Sequence, residues 1–225
     1  MHLIEIYKSV QGESSWAGLP CIFVRLAGCN LRCTWCDSTY TFSGGKKMSA
    51  QEVLAEIERL APTRLIEITG GEPMLQSREL LPLIETLLQR GYTLLLETSG
   101  ERPLADVPAA VRKIVDVKCP GSGEGGSFNA ENLLSLGAND EVKFVIRDRT
   151  DYEFAREFLR AHALDQRVAS VLFSPAFRVD ARSRTADNLE LDPALLVDWI
   201  LEDGLNVRLN LQIHKFIWEP QTKGV

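Results

Sequence analysis

The stretch "RLIEITGGEPMLQSRELLPLIETLLQRGYTLLLETSG", residues 64–100, decides the fold. "RLIEIT" is a β-rich run that breaks at two glycines. "ELLPLIETLLQRG" spaces its apolar residues along one face of a helix and stops at Gly91, a residue suited to the left-handed conformation that ends helices. "YTLLLETSG" is a second strand with its own turn. Strand, covering helix and strand in this order make a βα unit, whose two strands run parallel.

The alternation extends both ways. Upstream, "CIFVRLAG" is an earlier strand, and "MSAQEVLAEIERL" opens a helix with a capping box from Ser49 to Glu52. Downstream, strand "KIVDVK" leads through a loop rich in Gly and Ser to helix "NAENLLSLG" and strand "EVKFVI". Helix "TDYEFAREFLRAHAL" carries a second capping box, Thr150 to Glu153. "DPALLVDWILEDG" has Asp192 as its cap, Pro193 at the first helical position and Gly204 past its end, before strand "NVRLNLQ". Six or seven strands are expected. A closed eight-unit barrel typically needs about 250 residues. The chain has 225, so an incomplete βα barrel or an open α/β sheet is expected, as a single domain over residues 1–225. Either architecture places its site at the carboxyl ends of the strands. There the distinctive residues lie: a cysteine loop follows "FVRLAG", and "TGGEP" follows "RLIEI".

With 45% apolar and 25% charged residues, the chain can bury one sizeable core. A net charge of -6 with mixed signs argues against a nucleic-acid partner, which requires a basic face. A small-molecule substrate is expected instead. No apolar run reaches the length of a membrane span, and "MHLIEIYKSVQGE" lacks the pattern of a leader, so a cytoplasmic protein away from membranes is expected. In that reducing setting the five cysteines suggest a metal or redox site rather than disulfides.

Three of them, Cys29, Cys33 and Cys36, share the loop "AGCNLRCTWCDSTYTF", residues 27–42. Zinc could take these thiolates with a fourth ligand from Cys21, Cys119 or His2, although structural zinc motifs usually bring a second close pair. Three free core cysteines brought to this spacing by chance are the bland alternative. A 4Fe-4S cluster on three thiolates leaves one iron open to a substrate or cofactor.

Cys29-x3-Cys33-Thr34-Trp35-Cys36 resembles the cluster loop of the radical S-adenosylmethionine superfamily. Members chelate the open iron with the methionine end of S-adenosyl-L-methionine and cleave that cofactor to a 5'-deoxyadenosyl radical. The resemblance implies Trp35 near the adenine, with Cys36 and Asp37 along the nucleoside. Thr69-Gly70-Gly71-Glu72-Pro73, by itself a strand-ending turn, resembles the superfamily's GGEP element and puts Gly71 on the cofactor. Glu97-Thr98-Ser99-Gly100 resembles the ETNG-like turn, with Ser99 in place of the more usual asparagine. Asp116, Val117 and Lys118 stand where relatives have Ser-Pro-Lys. "FSPAF" supplies Ser174, Pro175, Ala176 and Phe177 as the later cofactor-lining loop.

"SVQGESSWAGLPCIFVRLAGCN", "CDSTYTF", "EVKFVI" and "LQIHKFIW" together resemble the 7-carboxy-7-deazaguanine synthase family across essentially the whole chain. The fold implied is a partial βα barrel of the radical SAM type with about six parallel strands. The implied reaction converts 6-carboxy-5,6,7,8-tetrahydropterin to 7-carboxy-7-deazaguanine with loss of ammonia, on the route to queuosine. The radical removes hydrogen from C6, the ring contracts, and the cofactor is regenerated when hydrogen returns to the product radical. Magnesium assists. Val10, Gln11 and Gly12 align with the pterin-contacting segment, with Glu13 as an acceptor for ring N–H groups. Arg25 would take the carboxylate, Thr69 and His214 would touch substrate, and Ser38 would be the hydroxyl ligand of magnesium. Without the resemblance, Arg25 reads as a solvated edge charge, Ser38 as a turn cap and His214 as structural. Relatives that end at the position of Pro220 offer substrate a terminal carboxylate, whereas "QTKGV" continues here. No catalytic side chain is expected beyond the cluster and cofactor. Expected partners are an electron donor such as flavodoxin or ferredoxin and a second copy in a homodimer. Two rivals share the cysteine loop. A glycyl-radical activating enzyme would not need Gln11, Arg25 or Ser38, and a non-catalytic zinc or electron-transfer module would ignore S-adenosylmethionine.

Overall fold

The computed structural model describes residues 1–178, 188–219 and 222–224. Strands β1 (His2–Val10), β2 (Pro20–Leu26) and β3 (Lys46–Lys47) begin a sheet that continues through β4 (Leu65–Gly70), β5 (Thr93–Thr98), β6 (Arg112–Asp116), β7 (Glu141–Ile146), β8 (Ser170–Pro175) and β9 (Arg208–Leu209). The strand order is β3-β1-β2-β4-β5-β6-β7-β8-β9. From β2 to β9 every neighbouring pair is parallel. Six of these strands have substantial length, and the two-residue β9 is a seventh. No pairing joins β3 to β9 among the described residues, so the barrel stays open. Helices α1 (Ala50–Arg59), α2 (Ser77–Gln89), α3 (Arg149–His162), α4 (Pro193–Glu202) and α5 (His214–Ile217) complete the chain.

The caps explain most helix starts. Ser49 and Glu52 form the expected capping box on α1, and the Asp192 side chain accepts from the Ala194 amide ahead of Pro193. The expected box at Thr150 is corrected. Asp148 caps α3 by accepting from the Asp151 amide, which puts Thr150 inside the first turn. "NAENLLSLG" forms a 3-10 turn over Ala130–Ser135 rather than an α-helix, and only Arg208–Leu209 of "NVRLNLQ" pairs as strand. The antiparallel hairpin of β1 on β2, with Ile6 opposite Val24, lies outside the βα alternation.

Side-chain alternation along the strands divides the molecule. Ile22, Val24, Ile66, Ile68, Leu94, Leu96, Val115, Phe144 and Phe173 point outward and form one core with Leu80, Leu83, Ile84 and Leu87 of α2 and Tyr152 and Ala155 of α3. Each such side chain contributes on the order of 1.5–3 kcal/mol when fully buried. On the concave face, Cys21, Phe23, Leu65, Leu95, Ile114 and Leu172 form a second, smaller core at the amino ends of the strands. One step of alternation further along, the inward positions become Arg25, Glu67, Thr69, Glu97, Asp116 and Lys143. The barrel is therefore plugged with hydrocarbon at the bottom and lined with charge at the top.

Candidate active site

The cysteine loop leaves the top of β2. Its base is closed by the Gly28 amide, which donates to the Thr41 carbonyl at 2.7 Å, and its middle is pinned by Thr34. The Thr34 amide donates to the Ser122 carbonyl at 2.9 Å and its hydroxyl to the Gly121 carbonyl at 3.0 Å. The Arg32 guanidinium donates to the carbonyls of Cys29 and Leu31 at 2.8 and 2.7 Å, and lies over the Phe42 ring. So held, Cys29, Cys33 and Cys36 line one cavity of about 230 Å³. Burial pushes all three thiols above their usual range, Cys33 to about 11. A metal centre that takes them as thiolates must therefore displace their protons. The donor set of soft thiols on one wrapping loop fits an iron–sulfur cluster. It does not fit the zinc reading, because Cys21 and Cys119 are fully buried in the cores and His2 is exposed on β1. Among the described residues, no three Cys, His, Asp or Glu side chains group as a single-ion site.

The GGEP turn buttresses this loop. A Cβ added to Gly71 would lie 2.2 Å from the Gly28 carbonyl oxygen and 2.7 Å from the Cys29 Cβ, so only glycine fits. The Glu72 amide donates to that same Gly28 carbonyl at 2.8 Å. The Glu72 carboxylate is wholly buried and accepts from the Met74 amide, the Thr98 hydroxyl, and both the amide and hydroxyl of Ser99. The β4 and β5 turns are thereby welded together, with the Ser99 hydroxyl committed to Glu72 at 2.7 Å while Ser99 still faces the cavity. Of the other expected cofactor residues, Trp35, Asp37, Asp116, Lys118 and Phe177 line the cavity. Asp116 binds the Lys118 ammonium through Oδ2 at 2.8 Å, and its buried Oδ1 has no partner. Val117, Ser174, Pro175 and Ala176 are not on the wall. Val117 packs in the outer core, and Ser174 accepts from the Asn210 amide group at 2.8 Å.

The opposite wall carries the expected substrate residues Val10, Gln11, Gly12, Glu13, Arg25, Thr69 and His214. Gln11 donates to Glu67 and accepts from the Glu13 amide at 2.8 Å. Glu13 receives the Lys143 ammonium at 2.8 Å and the Gln212 amide group at 2.6 Å. Lys143 also donates to Glu97 and lies 3.6 Å from Asp116. These carboxyls diverge. Burial pushes Glu13 up, but the Lys143 ammonium beside it wins and holds it near 2. Burial, reinforced by Glu97 and Glu13, raises Glu67 well above the carboxylate range. Glu97 is raised too, by burial that Lys143 only partly offsets. Arg25 is not a solvated edge charge: its Nε binds Glu5 and its Nη2 binds the Tyr7 hydroxyl, both at 3.0 Å. Tyr7 stacks on Phe23 with the rings 5.0 Å apart. Sequence reasoning missed Glu67, Glu97 and Lys143 as site residues. The signal was present, since each is a charge at an alternate position inside an otherwise apolar strand.

Ser38 lines the cavity, and its hydroxyl donates to Asp37 Oδ1 at 2.9 Å rather than capping the turn at Thr39–Thr41. Burial pushes His214 below its ordinary value. The expected contact at Pro220 lies outside the described residues, while Thr222 and Gly224 reach the wall.

The family model described as the radical SAM superfamily matches residues 24–178. A 7-carboxy-7-deazaguanine synthase of Koribacter versatilis is 65% identical, covering 100% of both chains. One from Chlorobaculum tepidum is 39% identical over 100% of this chain and 97% of its own. Among solved structures, QueE from Escherichia coli matches with a TM-score of 0.73 and 25% identity, covering 93% of each chain. SuiB of Streptococcus suis, bound to precursor peptide SuiA, shares the fold with a TM-score of 0.57 and 12% identity over 83% of this chain and 47% of its own.

Proposed function

The chain belongs to the radical S-adenosylmethionine superfamily and, within it, to the 7-carboxy-7-deazaguanine synthases; from that membership we propose that its cavity seats the cofactor against the cysteine loop and a carboxylated pterin against the Gln11–Arg25 wall. The enzyme is a radical SAM lyase that forms 7-carboxy-7-deazaguanine from 6-carboxy-5,6,7,8-tetrahydropterin with loss of ammonia, in queuosine biosynthesis. When bound, the 4Fe-4S cluster and S-adenosyl-L-methionine supply the electron and the 5'-deoxyadenosyl radical. The chain's residues orient and enclose. The observation that carries this reading is that three half-buried thiols and a buried set of amide, carboxylate and guanidinium groups line one cavity.

Each group has a task. Arg25, braced by Glu5 and Tyr7, presents its guanidinium to the substrate carboxylate. Ionised Glu13 accepts ring N–H groups, whereas Glu67, whose carboxyl is pushed up by burial and by Glu97 and Glu13, would in its protonated form donate to a ring acceptor. Such complementary donors and acceptors distinguish a flat heterocycle by its edge. The unpartnered Asp116 Oδ1 and the Lys118 ammonium face the cofactor end, with Trp35, Gly71 and Ser99 beside them. Ser38 supplies one hydroxyl to magnesium, an ion that keeps most of its water and takes few protein ligands. The whole chain acts as one domain, in the cytoplasm, as a homodimer served by a flavodoxin or ferredoxin.

Anaerobic reconstitution is expected to load about four irons per chain. Reduced protein should then form 7-carboxy-7-deazaguanine only when S-adenosylmethionine is present. Cofactor cleavage that leaves 6-carboxytetrahydropterin untouched would reject the substrate assignment, and tightly bound zinc without a cluster would reject the cofactor.

A further inference from the structure

The segment from Asn210 to Trp218, which contains α5, is a strap across the cavity. The Asn210 amide donates to the Phe173 carbonyl of β8 at 2.9 Å, and the Ile213 amide donates to the Gly12 carbonyl at 2.9 Å. Gln212 holds Glu13. His214 packs so closely that a Cβ on Gly12 would lie 2.0 Å from its Nδ1. Gln212, Ile213 and His214 thus bind the strap to the substrate wall, while Asn210 ties it to β8 and Phe216 packs against Phe177 with the rings 5.7 Å apart.

Lys215 joins it to the cysteine loop. This lysine is 4% exposed, a placement that is unfavourable unless the charge is paired. Its ammonium lies 2.6 Å from Asp37 Oδ2, donates to Gln212 Oε1 at 2.7 Å, and sits 4.7 Å from the centre of the Phe177 ring. Asp37 follows Cys36 directly, and Gln212 is the residue that holds Glu13. One cation therefore touches both the cysteine loop and the support of the substrate loop.

We propose that Lys215 is a positioning residue that clamps the strap to the cysteine loop and so sets the placement of the pterin relative to the cofactor. The proposal rests on the preceding assignment of the two walls. Its consequence is kinetic. Regeneration of S-adenosylmethionine requires 5'-deoxyadenosine to return its hydrogen to the product radical, and this needs the two to stay in register. Without the clamp, the hydrogen abstracted from C6 remains on 5'-deoxyadenosine. The stranded substrate radical then takes an electron from the assay reductant and a proton from water, and one S-adenosylmethionine is consumed without product.

The test is Lys215→Met in the anaerobically reconstituted holoenzyme. The ratio of 5'-deoxyadenosine to 7-carboxy-7-deazaguanine is expected to rise about tenfold, the scale of loss that follows a misplacement of under an ångström or so. Lys215→Arg should restore much of the ratio. Amide hydrogen exchange without substrate should quicken at Ile213 and over residues 29–41. Should Lys215→Met not fold, the neutral pair Lys215→Met with Asp37→Asn leaves no unpaired charge and is expected to raise the ratio as well. A proportional fall of both products at wild-type ratio, with unchanged exchange, would show that Lys215 only supports the fold and would overturn the proposal. A wild-type enzyme that ignores the pterin would instead refute the substrate assignment, and the exchange experiment would still judge the clamp.

Discussion

Replacing Lys143 by methionine removes the one ammonium that touches Glu13, Glu97 and Asp116 together. The cost follows from Glu13, which sits near 2 in the folded chain against an ordinary 4.5. Each pH unit of such a difference is worth about 1.4 kcal/mol, so the ionised form gains roughly 3 kcal/mol from its surroundings. Because the folded value is the lower one, this stability is fully present above pH 4.5 and is lost as the pH falls towards 2. Stripping one partner from a buried ion pair costs about 3–5 kcal/mol, the same scale. At this chain length 1 kcal/mol moves the melting temperature by about 2–4 °C, which predicts a drop of roughly 6–12 °C at pH 7.5. Scanning calorimetry of the anaerobically reconstituted wild type, Lys143→Met, Glu13→Gln and the double variant measures it. The double variant should recover part of the loss, because it leaves fewer unpaired charges. A Lys143→Met protein that melts with the wild type, or single losses that simply add in the double variant, would refute the reasoning.

Three further outcomes follow from neighbouring contacts. Gly71→Ala forces a methyl group onto the Gly28 carbonyl and the Cys29 Cβ, at a cost of about 1–3 kcal/mol; iron content after reconstitution should fall, and undiminished loading would contradict the close fit. Glu72→Ala strips one acceptor from two amides and two hydroxyls, so the melting temperature should fall by an amount equivalent to about 3 kcal/mol, checked by the same scans. Glu67→Gln tests the raised carboxyl. Folded wild type keeps that proton to higher pH than the unfolded chain, so wild-type stability should decline as the pH rises above 4.5, by up to about 1.4 kcal/mol per pH unit until the folded group ionises. The variant should lack this component, and profiles that stay identical as the pH is raised from 4.5 would dismiss it.

The parallel part of the sheet was legible because its helices announce themselves. Ser49 and Asp192 cap where the residue pattern says they should, and the apolar periods of α1 and α2 frame the strands between them. Thr150 misled because Asp148, two residues earlier, offers a carboxylate that competes successfully for the Asp151 amide. Spacing put Cys29, Cys33 and Cys36 on one loop, but what that loop holds was legible only from its resemblance to the superfamily's cluster loop. Glu67, Glu97 and Lys143 were obscured because "LIEIT", "LLLET" and "VKFVI" read as buried strands, and apolar content outweighs a single charge in such a reading. Only the closed face of the sheet reveals that the three charges share one layer. The pairing of Asp37 with Lys215 had no local signature at all, since residues so distant in the chain meet only after the barrel has wound.

The hydrogen bond between Gln212 and Glu13 joins residues 199 positions apart. On the ribosome, the Gln11–Glu13 loop therefore has Glu67 and Lys143 long before Gln212, its last partner, emerges. The seven parallel strands all precede residue 210, so the sheet can form as a basin open on the side that the strap later crosses. Completion of the strap then converts that basin into an enclosed chamber. The last-made part of the chain is thus the part that ties the substrate loop, through Gln212, and the cysteine loop, through Lys215, to one another.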